Sequence, residues 1–190
     1  MNSDENSRRF EMLVMPHLDA AYNLALRLTR NDHDAQDVVQ EAVLRGMRYI
    51  DSLRNGSARP WLLQIVRNTC FSWLKENRPA ERVLLDEPDD AWRDIAPPAA
   101  DEPPSIAIRK ADRAQIDEAI AALPIPFREV LVLREMEDLS YTDIARIAEI
   151  PVGTVMSRLA RARALMRTAL TPIARPALRA VGRSTTGGGT

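Results

Sequence analysis

The feature that most limits how this chain can fold is a proline-rich, acidic stretch near its middle. No α-helix can run through it, because each proline lacks a backbone N–H and clashes with the preceding turn. Between Arg78 and Pro104, prolines stand at positions 79, 88, 97, 98, 103 and 104. We therefore predict two small helical domains with a flexible linker between them: a first domain over 8–78, the linker over 79–104, a second domain over 105–171 and a disordered tail over 172–190.

Apolar residues in the first half follow the three- and four-residue spacing of helices that bury one face. The pattern predicts one helix from Phe10 to Leu28, a second from about Asp34, and a third that begins near Pro60. Proline suits the first turn of a helix, where its missing N–H has no partner in any case. The sequence shows no strand-like alternation long enough to trust, so the predicted fold class is all-α.

The second half ends in a pattern typical of a helix-turn-helix. A helix with Ser105 as its N-cap is predicted to end at the prolines after Leu123. Ser140 and Asp143 then have the spacing of a capping box, which opens a short helix. A tight turn leads into a final helix over about 152–170.

Composition excludes several kinds of site. The 190 residues include one cysteine and two histidines, too few for an internal disulfide or a structural zinc site, so no metal or cofactor is predicted. Cys70 lies in an apolar stretch, which favours a core position over a nucleophile.

The polar N-terminus and short apolar runs predict a cytoplasmic protein without a secretory signal or membrane span. Because the formal net charge is -1, any nucleic-acid site must be local.

Positive charge is concentrated from Leu139 onward, where eight arginines accompany two acids. Arginine can donate to both acceptors of a guanine edge, and hydroxyl groups can donate to phosphates. One arc of the final helix carries these residue types, beside a predicted buried face of Val155, Leu159, Ala162, Met166 and Ala169. The predicted duplex DNA site comprises Thr154, Ser157, Arg158 and Arg161, with Arg163 as a phosphate contact or solvated charge. The alternative is an ordinary amphipathic helix with an arginine-rich solvent face.

A second cluster lies on the second predicted helix and is acidic. Its members recur at helical spacing, which places them on one face: Asp34, Asp37, Gln40, Glu41 and Leu44. Carboxylates and amides suit a basic protein surface and repel DNA phosphates. A solvated face without a partner is the alternative. Catalysis would need a histidine or a second carboxylate motif beside this cluster, and the sequence offers neither, so an enzyme is not predicted.

A third cluster interleaves bases, an amide and aromatics on the third predicted helix. Stacking and positive charge can act together on an unpaired base, so these types suit single-stranded nucleic acid. The candidate residues are Arg67, Asn68, Phe71, Lys75 and Arg78. Trp61 and Trp73 lie on the same helix, and core positions are the more common role for such residues.

Together the three clusters resemble the extracytoplasmic-function sigma factors of the sigma-70 family, over about Phe10 to Leu170. The most specific motifs are DAQDVVQEA at 34–42, LSYTDIA at 139–145 and PVGTVMSRL at 151–159. The resemblance implies a subunit of RNA polymerase that recognises promoters and performs no chemistry itself. Its implied partners are core RNA polymerase, through the clamp helices of the largest subunit and the flap, promoter DNA, and an anti-sigma factor that acts in a stress or envelope response.

The resemblance also implies a role for each cluster. The acidic helix would dock on the clamp helices through Asp34, Asp37, Gln40, Glu41 and Leu44. Asn68 and the loop 52–59 would hold a flipped base of the minus-ten element, with Lys75 and Arg78 on the strand's phosphates. Thr154, Ser157, Arg158 and Arg161 would read the minus-thirty-five duplex. The acidic linker would thread toward the RNA exit path of the polymerase.

Two positions depart from the family's pattern. Met156 stands where many relatives have arginine, which removes one possible DNA contact. Glu149 stands where relatives often have glycine, and glutamate tolerates a left-handed turn poorly, so the turn is expected to differ slightly. A conventional one-component or response regulator is the second functional hypothesis, but it leaves the acidic face and the Asn68 helix unexplained.

Overall fold

The computed structural model describes residues 3–53, 57–78 and 113–171, and every regular element in these ranges is a helix. The prediction of an all-α fold is confirmed. The predicted linker over 79–104, the Ser105 N-cap and the tail over 172–190 lie outside the described residues, as do positions 54–56 of the loop before the third predicted helix.

The N-terminal module contains four α-helices: α1 (Ser3–Val14), α2 (Leu18–Thr29), α3 (Asp32–Tyr49) and α4 (Ala58–Asn77). The prediction of a single helix from Phe10 to Leu28 is wrong, because a short 3-10 helix at Met15–His17 separates α1 from α2. Pro16 lies in that segment and cannot donate to the preceding turn. Asn31 caps α3 by accepting a hydrogen bond from the Asp34 backbone at 3.0 Å.

Close packing of α1, α3 and α4 depends on a glycine. A Cβ atom at Gly46 of α3 would lie 3.0 Å from Cε2 of Phe10 and 3.5 Å from Cη2 of Trp61. Both aromatic rings can therefore approach the α3 backbone, and Phe10 becomes part of the core. Trp61 and Trp73 pack against the core while partly exposed, in agreement with the core interpretation of both residues.

The C-terminal module contains α5 (Arg113–Ala122), α6 (Ile125–Leu131), α7 (Tyr141–Ala148) and α8 (Val152–Leu170). A π-helical turn at Val132–Met136 continues α6. The predicted cap of α7 is confirmed, since Ser140 Oγ accepts from the Asp143 backbone N–H at 3.1 Å. Ala169 is exposed and Leu170 is buried instead, so the predicted inner face of α8 is wrong at its last position.

The turn between α7 and α8 passes through a left-handed residue. Glu149 has φ 58° and ψ 42°, and its backbone N–H donates to the Ala145 carbonyl. Glutamate therefore adopts the conformation that glycine adopts easily, at a steric cost of about 1 kcal/mol. The left-handed cap therefore forms with glutamate in place of glycine, and the result is local backbone strain at Glu149.

The two modules pack against each other. Their buried side chains form one continuous hydrophobic cluster, in which α4 lies against α7 and α2 lies against α6. The buried Arg128 guanidinium of α6 donates to carbonyl oxygens on both sides of the junction: Ile120, Ala121 and Leu123 in its own module, and Arg27 and Leu28 at the end of α2. We refer to this as the closed arrangement.

Replacing Glu149 with glycine should stabilise the protein. Glycine relieves the left-handed strain at φ 58°, and the gain exceeds its larger loss of chain entropy, so we expect the free energy of unfolding to rise by about 0.5–1 kcal/mol. Urea denaturation measures this value. Arg146→Gly, within α7, is the control and should lower it by about 1 kcal/mol. Because E149G also loses the contacts of the Glu149 carboxylate with Gln64 and Asn68, Glu149→Ala, which loses the same contacts but keeps the strain, is the second control. An E149G variant no more stable than E149A would contradict the assignment of strain.

Cys70 should resist thiol reagents in the native protein. Its side chain is fully buried in α4, and burial raises the pKa of the thiol, so the reactive thiolate is scarce. We expect labelling by a soluble disulfide reagent at pH 8 to be about a hundredfold slower than in guanidinium chloride. An exposed cysteine, Asn77→Cys in a Cys70→Ser background, should label rapidly. Equal native rates for the two cysteines would contradict the burial of Cys70.

Candidate nucleic-acid and protein interfaces

The acidic residues of α3 lie on an exposed face. The Asp37 side chain is 60 % exposed and the Glu41 side chain 47 %, and Gln40 is also exposed. Asp34 is more enclosed, with its carboxylate 3.6 Å from the Arg78 guanidinium. We refer to Asp34, Asp37, Gln40, Glu41 and Leu44 as the acidic face. It is presented outward, as a docking surface requires.

Two apolar side chains extend the acidic face along α3. Leu44 is 47 % exposed and Met47, three residues later, is 42 % exposed. Exposed apolar side chains beside carboxylates are typical of a protein-binding surface rather than of a nucleic-acid site. Sequence reasoning did not select Met47, although extending the three-residue spacing beyond Leu44 would have found it.

The nucleic-acid candidates on α4 share one helix, and three of them are in contact. The Arg67 guanidinium carbon lies 3.8 Å from the centroid of the Phe71 ring, and Arg67 Nη1 donates to Asn68 Oδ1 at 3.1 Å. Lys75 and Arg78 follow at helical spacing toward the end of α4. We refer to Arg67, Asn68, Phe71, Lys75 and Arg78 as the α4 cluster. It combines an aromatic ring, an amide and several cations.

Part of the α4 cluster is engaged by the other module. Arg67 Nε donates to Glu129 Oε1 at 2.7 Å, and the Glu129 side chain is fully buried. Burial raises the pKa of the Glu129 carboxyl, and the positive charges of Arg67 and Arg158 oppose that rise. The sequence analysis did not select Glu129. Periodicity identifies one buried face, whereas every residue of α6 is buried.

The candidates on α8 lie in its N-terminal half. Thr154, Ser157, Arg158 and Arg161 are all partly exposed, and the Ser157 hydroxyl donates to the Thr154 carbonyl at 3.0 Å. They occupy one arc of the helix, beside the face that buries Val155. Hydroxyl and guanidinium groups therefore lie in the half of the helix that a helix-turn-helix places against DNA. The exposed Met156 lies on the same turn.

Arg163 differs from the other candidates on α8. Its Nε and Nη2 atoms both donate to Glu135 Oε1, at 3.1 Å and 2.6 Å. Partial burial acts to lower the pKa of Arg163, but the hydrogen bonds and charge of Glu135 outweigh it and raise the pKa. The structure therefore places Arg163 in a pair within its own module, apart from the other four candidates.

Each of the two modules matches the model of a known protein family. The family model "Sigma-70 region 2" matches residues 13–79, and "Sigma-70, region 4" matches residues 113–166. The sigma-H factor of Pseudomonas aeruginosa is 36 % identical over 181 residues, covering 90 % of this chain and 91 % of that protein. The ECF sigma-E factor of Escherichia coli K12 is 32 % identical over 174 residues, with 90 % and 91 % coverage. The chain belongs to the extracytoplasmic-function sigma factors of the sigma-70 family.

Membership of this family confirms the general function expected from the sequence. Sigma factors are regulatory DNA-binding proteins that direct RNA polymerase to initiate transcription at promoters. This sigma factor is therefore not a conventional one-component or response regulator, which was the second functional hypothesis.

Solved structures of sigma factors share the fold. The sigma factor RpoE of Bartonella quintana, crystallised with the anti-sigma factor NepR, aligns with a TM-score of 0.63 and 25 % identity. The alignment covers 86 % of this chain and 98 % of that one. The likeness therefore extends over both modules of this sigma factor.

Two further properties concern ligands and membranes. Within residues 3–53, 57–78 and 113–171, histidine, cysteine and carboxylate side chains form no group of three that could hold a metal ion. Among the helices described for this sigma factor, none is long and apolar enough to cross a membrane.

Proposed function

We propose that three separate surfaces of this sigma factor divide the work of binding core RNA polymerase and recognising a promoter. The acidic face of α3 docks on the clamp helices of the largest polymerase subunit. The α4 cluster holds the displaced strand of the minus-ten element, with Asn68 on a flipped base. The N-terminal end of α8 reads the minus-thirty-five duplex, and the C-terminal module contacts the polymerase flap.

The observation that carries the proposal is the separation of unlike surfaces on one small fold. Carboxylates and exposed apolar side chains occupy α3, an aromatic ring with cations occupies α4, and hydroxyls with guanidinium groups occupy the end of α8. Each set of groups suits a different partner: a basic protein surface, an unpaired strand and a duplex groove. A conventional repressor or activator would need only the last of these.

Control by an anti-sigma factor is part of the proposal. The Bartonella quintana sigma factor was crystallised with such a protein. A partner that covered the acidic face would prevent this chain from docking on the polymerase, since one surface cannot bind two proteins at once. We infer that release from such a partner, in a stress or envelope response, makes the chain active.

Reversing a charge on the acidic face should weaken polymerase binding. Asp37 is exposed, and among the described residues it pairs only with the exposed His33. The Asp37→Lys substitution should therefore change binding to the polymerase without disturbing the fold. We expect about a tenfold loss of affinity for core polymerase, measured by fluorescence anisotropy with a labelled chain. Asp19→Lys, on the exposed side of α2, is the matched control. Equal losses for both variants would refute docking through α3.

Reconstitution with core polymerase tests the DNA sites directly, by asking where transcription starts and how the promoter opens. Asn68→Ala should reduce permanganate reactivity of the minus-ten region, because the flipped base loses its amide partner. Arg161→Ala should weaken upstream duplex protection by about tenfold, since a guanidinium contact is lost. The controls are Asn77→Ala, at the exposed end of α4, and Arg8→Ala on α1. Unchanged initiation by both test variants would show that the two sites are assigned wrongly.

A further inference from the structure

The half of α8 assigned to duplex DNA exposes a long apolar side chain among its polar ones. Met156 is 54 % exposed, whereas Val155 and Leu159 of the same helix are buried. A side chain of this size gains free energy when a partner covers it. The proposed reading of the duplex uses the hydroxyl and guanidinium groups of α8 and gives Met156 no role.

Met156 lies on the outer side of α8, next to residues assigned to DNA. A spacing of three or four residues places side chains beside one another on a helix. This spacing joins five consecutive neighbours on the outer side: Gly153, Met156, Ser157, Ala160 and Arg161. All five are at least partly exposed, and as a set they point away from the buried face of the helix. A duplex that contacts Ser157 and Arg161 therefore also lies against Met156.

Small neighbours leave Met156 accessible to a partner. A Cβ atom added at Gly153 would meet no heavy atom of the described residues within 4 Å. Ala160, one turn after Met156, carries only a methyl group. No bulky side chain of this part of α8 therefore stands between Met156 and a partner that approaches the outer face.

The chemistry of the major groove restricts what Met156 can contact there. Each base pair displays hydrogen-bond donors and acceptors along the groove, and thymine adds the methyl group on its C5 atom. A thioether has no hydrogen to donate, so Met156 cannot bind the acceptors of guanine as an arginine can. The thymine methyl is the apolar group that the groove offers to an apolar side chain.

We propose that Met156 makes this sigma factor prefer thymine at one position of the minus-thirty-five element, through contact with the thymine methyl group. The proposal rests on the proposed function of α8, because it names the base that one residue of that surface recognises. Ser157 and Arg161 anchor the helix through polar contacts. The unbranched methionine adapts its shape to the methyl group.

The same contact discriminates against the other bases. An apolar side chain placed over the N7 and O6 atoms of guanine removes water from these acceptors and returns no hydrogen bond. The amino groups of cytosine and adenine lose water in the same way. Preference for thymine therefore combines a gain at the methyl group with a penalty at the polar edges. Burial of one methyl group corresponds to about a fourfold change in affinity.

The first experiment selects promoters with the full chain bound to core polymerase. The pool contains promoter duplexes randomised over the upstream element, and the duplexes that the polymerase retains are sequenced. Met156→Ala removes the thioether and preserves the helix, since alanine is a strong helix former. We expect one position at which wild type enriches thymine and M156A does not. Equal thymine enrichment by the two proteins at every position would overturn the proposal.

The matched control is Met12→Ala. Met12 lies on α1 and is 75 % exposed, so the substitution makes the same change to an exposed methionine outside α8. M12A should retain the wild-type selection. Loss of the same thymine enrichment by M12A would show that the effect does not arise at α8, and the proposal would fail. Circular dichroism establishes that both variants are folded.

The second experiment removes the methyl group from the DNA and leaves the protein intact. Deoxyuridine replaces thymine at the selected position, which keeps the base pair and deletes only the C5 methyl. At one fixed salt concentration, the wild-type holoenzyme should bind the deoxyuridine promoter about fourfold more weakly in a competition assay. M156A should bind the two promoters equally, because the partner of the methyl group is gone. Equal binding of both promoters by wild type, or a full fourfold difference with M156A, would refute the contact.

Failure of this inference can be distinguished from failure of the proposed function. Arg161→Ala, carried through the same selection, reports whether α8 reads the upstream element by its polar groups. If R161A changes the selected sequence and M156A does not, α8 reads DNA without Met156, and only this inference is refuted. If wild type enriches no upstream sequence, duplex reading by α8 is refuted, and the role of Met156 is refuted with it.

Discussion

Arg67 and Glu129 form an ion pair at a junction from which water is largely excluded. The closed arrangement depends on this pair, because each charge is neutralised by the other. Arg67 also contacts the Phe71 ring and the Asn68 amide, so one guanidinium group links the second module to the α4 cluster. Breaking such a pair by removing one partner leaves an uncompensated buried charge. Separating the modules returns both groups to water instead, which avoids that cost.

The net charge of the chain conceals an uneven distribution. Acidic groups are exposed on α3, arginines are concentrated on α8, and the formal total is only -1. Because exposed charges act over about 10 Å at moderate salt, partners respond to each surface rather than to the total. Such a chain is suited to binding a protein and a nucleic acid at the same time.

Much of the fold follows from local rules that can be read along the chain. The Ser140 cap of α7 and the start of α4 near Pro60 were predicted because each depends on residues a few positions apart. The break at Pro16 was missed because the apolar spacing continues across it. Glu129 was missed because periodicity reports one buried face, while its partner Arg67 lies 62 positions earlier.

Helical spacing and capping are local properties, and they were enough to establish most of the helices, the order of the three surfaces and the residue types on each. Only the tertiary structure decides that the two modules pack together, that Arg67 contacts Glu129, and that Glu149 adopts a left-handed backbone. The two packing features arise from contacts between distant residues, whose free energies depend on burial and geometry. The spacing of residue types along the chain does not show which residues far apart in the sequence will come into contact.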